Sequence, residues 1–334
     1  MRDTTGRCHR AARARRIFQR AAIALAMFAL AGPAPAQTAY PSKPVRMIVG
    51  FPPGGGIDLN ARLYSAKLQE ALNTPFVVEN KPGGTGILAG EYVAKAAPDG
   101  YTLLVAASGQ MTINPVLIPN HPYDTVRDFA PITMLAQFPM VIAVNASFPA
   151  KSLAELISLA RAQPGRLNYS HGGAAHQVAG EMFNQALGLD IHSIPYKGGA
   201  PAVMAAVAGD VPIVIVDSAA ANAQIRAGRL RALAVTSAQR TPLVPGTPTV
   251  AESGVPGFDI GVWAGLFAPA GTPAAIVSRL YQETVRAMNS PEMREKLKSI
   301  GMDPGGMPPE QLSSMIKADI EKYRPIVKKA GMHP

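Results

Sequence analysis

Residues 50–63 read GFPPGGGIDLNARL. An apolar run from Val45 to Phe51 precedes three consecutive glycines, Gly54 to Gly56, and a helical pattern follows them. Bare backbone between a strand and a helix lets main-chain N–H groups approach an anion at the helix N-terminus. Two nucleotide motifs fail at this loop. A GxxxxGK[ST] loop needs Lys and a hydroxyl after its last glycine, and Ile57 and Asp58 stand there. GxGxxG fails because Leu59 occupies the third glycine's place, and a carboxylate at Asp58 repels a pyrophosphate. The expected anion is therefore not a nucleotide.

The strand-then-helix alternation continues outward from this loop. VRMIVGF (45–51), PFVVEN (75–80) and YTLLVAA (101–107) read as buried strands, rich in Val, Ile and Leu with little alternation. The helix after the glycines spans 57–72, with apolar residues at 59, 63, 66 and 72 on one face. FPMVIAVN (138–145) leads to a helix opened by Ser152 with Glu155 three places on, a capping box. LNYS (167–170), a helix near 175–187 closed by Gly188, and DIHSIPY (190–196) follow. Next come a helix near 200–208 ended by Gly209, and PIVIVDS (212–218). LRALAVTS (230–237) and DIGVWAGLFAP (259–269) precede helical stretches at 273–289, 291–300 and 308–329. Pro291 and Pro309 suit first turns. The alternation predicts the α/β class with two doubly wound, largely parallel sheets.

The first 36 residues read as a secretory leader rather than part of the fold. Residues 1–20 carry seven arginines against one Asp, and AAIALAMFALA (21–31) is followed by Ala34-Pro35-Ala36, the layout of a signal peptide cleaved after Ala36. An apolar stretch of 11 residues falls short of the roughly 20 that cross a bilayer. Arg15-Arg16-Ile17-Phe18 resembles a twin-arginine signal, but Gln19 replaces its usual apolar residue, so general secretion ranks ahead. Removing the leader's seven Arg and one Asp takes the net charge from +10 to +4, which is no argument for a nucleic-acid partner. Cys8 departs with the leader, so the exported chain of 298 residues has no disulfide, Cys nucleophile or Cys-ligated metal. The expected product is an exported, soluble monomer in the periplasm, without a cofactor.

Catalytic signatures are weak. The sequence has no GxSxG elbow and no HExxH. His171 and His176 lie five apart near Glu181, without an established metal-ligand pattern, so they read as loop or surface histidines. Asp217-Ser218 sits at a strand end, where sites gather in open sheets, but no base is assigned to it. By contrast, small-residue loops recur after the strands: PPGGGID (52–58), KPGGTG (81–86), ASGQMT (107–112), SHGGAAH (170–176), YKGGAP (196–201) and DSAAAN (217–222). One or two are explained as tight turns. Six on the ligand-facing side of open sheets predict a cleft lined by backbone amides and helix starts.

Longer stretches carry a resemblance: PSKPVRMIVGFPPGGGIDLNAR (41–62), VVENKPGGTGILAGEYVAKAAPDGYTLL (77–104), YDTVRDFAPITML (123–135), IPYKGGAPA (194–202), TPTVAESGVPGF (247–258) and WAGLFAPAGTP (263–273). From about Tyr40 onward the chain resembles the substrate-binding proteins of tripartite tricarboxylate transporters, the Bug family. The resemblance implies a two-lobed periplasmic binding fold of the Venus-flytrap kind (type II-like), its sheets joined by crossing strands. It divides the chain into lobe one, 37–138 plus 257–334, and lobe two, 139–256. It implies no enzymatic activity, a small carboxylate ligand (a di- or tricarboxylate, an amino acid or an aromatic acid), and delivery to membrane permease subunits. An exported hydrolase and a receptor for a sensor ectodomain are the alternatives.

By position, the resemblance assigns Phe51, Pro52, Gly54, Gly55, Asp58, Ser108 and Thr112 of lobe one to the ligand. From lobe two it assigns Ser170, His171, Gly172, Ala175, Tyr196, Gly198 and Asp217, with Lys197 reading as a solvated cation. Asp58 is open between capping the helix, accepting from a ligand amine, and pairing with Arg62 four residues on. A bulky residue at Gly55 is expected to abolish binding. Asn168–Glu181 is about two residues shorter than the family's usual loop, and His171 stands near its usual Ser. A histidine there makes pH-sensitive binding an expectation.

Overall fold

The computed structural model describes residues 40–332. The leader, its cleavage after Ala36, its export route and His333 lie outside these residues. Among the described residues, two mixed sheets carry the fold. The first is built from β1 (Val45–Val49), β2 (Phe76–Asn80), β3 (Thr102–Ala107), β4 (Phe129–Phe138), β10 (Val262–Pro269) and β11 (Asp303–Pro304), in the spatial order β11-β4-β10-β3-β1-β2. The second is built from β5 (Met140–Asn145), β6 (Leu167–His171), β7 (Ile191–Pro195), β8 (Ile213–Asp217) and β9 (Leu230–Val235), in the order β7-β6-β8-β5-β9.

Each sheet has a parallel half and an antiparallel half. β1 pairs in parallel with β2 and β3, and β6 with β7 and β8. The strands that carry the chain between sheets run antiparallel: β10 against β3 and β4, and β5 against β8 and β9. The expected largely parallel sheets are therefore half right, because a crossing strand enters its new sheet from the opposite end. The first crossing is a single residue, Pro139, between β4 and β5. The second returns from β9 to β10 and is stitched to the first. Thr236 N–H donates to Met140 O at 3.0 Å, and Thr236 Oγ1 donates to Ile260 O at 2.6 Å.

Helices α1 (Gly56–Leu72), α2 (Ile87–Ala94), α4 (Leu153–Ala162), α5 (Ala174–Leu187), α6 (Gly199–Ala208) and α7 (Ser218–Arg226) follow strands. The one-turn α3 (Asn114–Leu117) continues a wide i→i+5 turn, Gly109–Ile113. α8 (Ala274–Met288), α9 (Pro291–Ser299) and α10 (Pro309–Lys329) complete the chain. Ser152 caps α4 by accepting from Glu155 N–H, and the return bond comes from Lys151 N–H to Glu155 Oε2. Pro291 and Pro309 open α9 and α10 as expected.

α1 stands where the sequence placed it but buries a different face. Ile57, Ala61, Tyr64, Leu68 and Leu72 face the core, whereas Leu59 is 41% exposed. The expected face missed Tyr64, whose hydroxyl donates to Leu135 O at 2.7 Å and so accepts burial. Likewise β2 is a sheet edge rather than a buried strand, with Val77 46% exposed. α10 packs on both layers. Leu312 and Ile316 join the core of the first sheet, and Tyr323 and Val327 join that of the second.

Candidate functional site

In an open α/β sheet a crevice forms where the loops after adjacent parallel strands part in opposite directions. Here that happens between β1 and β3 and again between β6 and β8. The loops after these four strands face one cleft of about 470 Å³, large enough for a small organic ligand. Gly50–Pro52 line it after β1, Gly109 and Gln110 after β3, Gly172–His176 after β6, and Asp217 at the end of β8. Gly56 and Ile57, Pro82, Gly83 and Thr85, and Asn114 add to the first wall, and Phe138 and Val262 from the crossing strands also line it.

The helices that start at this cleft lack side-chain caps. The N-cap residues of α1, α5 and α7 are Gly55, Gly173 and Asp217, and none makes a side-chain cap bond. By contrast α4 and α9 begin with Ser152 and Ser290, which accept from Glu155 N–H and Met293 N–H. In α7 the first N–H, that of Ser218, already donates to Pro139 O at 2.7 Å; first-turn N–H groups left without a partner, and the positive end of the helix dipole, favour an anion. The lining contains neither Lys nor Arg.

Close packing explains two of the glycines. A Cβ on Gly172 would sit 2.3 Å from Gly199 N, so the loops after β6 and β7 touch backbone to backbone. A Cβ on Gly50 would sit 2.6 Å from Gly86 Cα. In the triple glycine only Gly54 is left-handed, at φ +84°. Gly55 has φ −75°, and its added Cβ would meet nothing closer than Pro52 O at 3.6 Å.

The sequence-derived residues divide into two groups. Phe51, Pro52, Gly172, Ala175 and Asp217 line the cleft. Gly54 and Gly55 lie exposed on the loop beside it. Asp58 is 1% exposed and points into the scaffold. It accepts from Gly54 N–H and Arg62 Nε on Oδ2, both at 2.9 Å, and from Asn80 Nδ2 on Oδ1 at 2.8 Å. Burial alone would raise its pKa, but the bonds from Arg62, Gly54 and Asn80 together hold it below the ordinary carboxylate value.

Other members of the second group also serve the scaffold. Ser108 Oγ accepts from Trp263 N–H, Thr112 donates to Ser108 O, and Ser170 donates to Ala202 O. Tyr196 packs on the core between β5, β8 and α6, and Gly198 turns at φ +109° into α6. Lys197 is exposed. His171 is 3% exposed with Nδ1 at 3.2 Å from Gly173 O. Burial drives its pKa down to about 4. The expected pH-sensitive histidine is thus a neutral ring near neutral pH, because the strand end faces it inward.

Several lining residues escape sequence reading. Gln110 Nε2 donates to Gly86 O at 2.9 Å and Asn114 Nδ2 to Thr85 O at 3.2 Å, which ties the 82–86 loop to the turn after β3. His176, 7% exposed, enters from the first turn of α5, with Nε2 at 3.2 Å from Asp217 Oδ1. Ser218 is fully buried and lies outside the lining. Among the described residues, no group of three or more His, Cys, Asp or Glu is placed to hold a metal, and no helix is long and apolar enough to cross a membrane.

Comparison with known proteins supplies the family. A family model described as "Tripartite tricarboxylate transporter family receptor" matches residues 60–332. Protein BugT of Bordetella pertussis is 36% identical over 313 residues, covering 92% of this chain and 95% of BugT. The Rhodopseudomonas palustris protein Rpa4515, solved with adipate, is 36% identical with a TM-score of 0.79, covering 88% of this chain and 99% of its own. MatC from Rhodopseudomonas palustris, solved with bound malate, is 33% identical with a TM-score of 0.75, covering 86% and 100%. The chain belongs to the tripartite tricarboxylate transporter receptor family, and its fold is that of the two-lobed periplasmic binding proteins, as the sequence resemblance implied.

Proposed function

We propose that the protein captures a small organic carboxylate in the cleft between its two sheets and presents it, unchanged, to permease subunits of a tripartite tricarboxylate-type transporter. The observation that carries this reading is the cleft itself. Uncapped helix starts border it from both sheets, and no Lys or Arg lines it. Such a wall holds a carboxylate through backbone N–H groups and helix dipoles. Adipate in Rpa4515 and malate in MatC support the same ligand class for this chain.

We assign residues 37–138 with 257–334 to lobe one and 139–256 to lobe two, closing about the crossings at Pro139 and between Thr236 and Val262. Phe51, Pro52, Gly172, Ala175 and Asp217 are the contacts carried forward from the sequence. Gln110, Asn114 and His176 are added from the geometry.

A thermal-unfolding screen of the exported chain against adipate, malate, succinate, citrate, glutamate, benzoate, nicotinate and terephthalate tests the reading. A ligand at 100 times its Kd adds about 2.7 kcal/mol to the native state, so one or more acids should raise Tm by several degrees. The bound acid should be recovered chemically intact. Failure of every acid, or recovery of a transformed product, would contradict the proposal.

A further inference from the structure

His176 brings a titratable ring into a wall otherwise built from small and neutral residues. It is nine-tenths buried, and neither ring nitrogen makes a hydrogen bond among the described residues. Its Nε2 nonetheless stands 3.2 Å from Asp217 Oδ1, off the line of a hydrogen bond, and that oxygen is likewise without a hydrogen-bond donor. Asp217 is the one carboxylate among the lining residues.

The neighbouring elements bring few other charges. β6 contributes His171, buried beside Gly173 O. The turn after β3 contributes Gln110, which is uncharged. On α5 itself Glu181 is bonded to the Tyr169 hydroxyl at 3.1 Å. The Asp58–Arg62 pair in the opposite wall is internally balanced.

A carboxylate entering this wall meets Asp217 at close range, and like charges in a poorly solvated cleft repel strongly. The residue placed to offset that repulsion is His176. We infer that His176 takes up a proton from solvent when the carboxylate binds, so that the cleft captures its acid as an anion together with one proton. The imidazolium then lies between two carboxylates, one from Asp217 and one from the ligand. This rests on the carboxylate reading and adds to it a proton stoichiometry, a dependence on pH and a residue that sets both.

Isothermal titration calorimetry with adipate, malate, benzoate and nicotinate as probes, at pH 6.0, 7.0 and 8.0 in buffers of different ionisation heat, tests it. The binding enthalpy should change with the buffer and report uptake of up to one proton. Affinity should fall by up to about ten-fold per pH unit on the alkaline side and level off on the acid side. His176→Gln, checked for folding by its unfolding curve, should lose both dependences, and Asp217→Asn should weaken them. A probe that binds with no buffer dependence and a flat pH profile overturns the inference while leaving the carboxylate reading intact, as does proton uptake that survives in His176→Gln. If no probe binds at any pH, the carboxylate reading itself falls, and the inference with it.

Discussion

Asp58 gives the most direct test of how the glycine loop is held. Its carboxylate is 1% exposed and takes three hydrogen bonds, from Gly54 N–H, Arg62 Nε and Asn80 Nδ2. Asp58→Asn keeps the volume but leaves one acceptor oxygen. If that oxygen stays on Gly54 and Arg62, the new NH₂ faces the NH₂ of Asn80, donor against donor. A hydrogen bond to a charged group contributes about 1.5–3 kcal/mol and a neutral one about 0.5–1.5 kcal/mol. The ionic part is discounted because Arg62 is half exposed. Losing one bond and weakening two should destabilise the ligand-free protein by about 2–4 kcal/mol, or roughly 3–6 °C in Tm at this chain length.

The acid limb should change as well. A carboxylate held below its ordinary pKa stabilises the fold fully above the unfolded value of about 3.9 and loses that contribution as pH falls through the folded value. The variant should lack this part of the acid loss. Thermal and urea unfolding between pH 3 and 7 would measure both effects. An unchanged Tm together with loss of ligand binding would refute the reasoning, because it would make Asp58 a ligand contact instead of the clamp on the loop.

Two further outcomes follow from the same geometry. The His171 ring is driven by burial to about 4, so between pH ~6.5 and about 4 the unfolded chain takes a proton that the folded chain refuses, a loss of about 3 kcal/mol on acidification. Stability should be full above that window, and His171→Asn should flatten the fall within it; identical pH profiles for the two proteins would contradict this. Gly172→Ala should lower Tm by the equivalent of about 1–3 kcal/mol and weaken binding at least ten-fold, because its Cβ would press on the Gly198–Gly199 backbone. Gly55→Ala, with φ −75° and ordinary contacts, should bind as the wild type does. Equal behaviour of the two alanine variants would show that loop contact does not shape the cleft.

Glycine loops after apolar runs made the cleft legible in the sequence, because a strand, a tight turn and a helix start are all local patterns. Direction was not legible. Ser108, Thr112 and Ser170 have the chemistry of ligand contacts, but their hydroxyls are engaged by Trp263 N–H, Ser108 O and Ala202 O. Two of these three partners lie far along the chain and leave no trace in local spacing. The same holds for Asp58, whose carboxylate is held in part by Asn80, twenty-two residues away. Position along the chain marks His171 for the ligand and leaves His176 as a loop or surface residue, but the end of β6 turns His171 inward and the first turn of α5 brings His176 to the cleft. Strands β4 and β10 pair across more than a hundred residues, which is why β4 was not read as a strand from its own irregular pattern, FAPITMLAQF.

A crystal structure with the strongest-binding acid from the thermal screen is the most direct test of the central claim. The account predicts electron density for the intact acid between the two sheets. One carboxylate should lie within hydrogen-bond distance of first-turn N–H groups of α5, with the His176 ring beside it. An intact acid lodged elsewhere, such as in the surface cavity of about 450 Å³ lined by Gln177, Glu181 and Lys329, would contradict it.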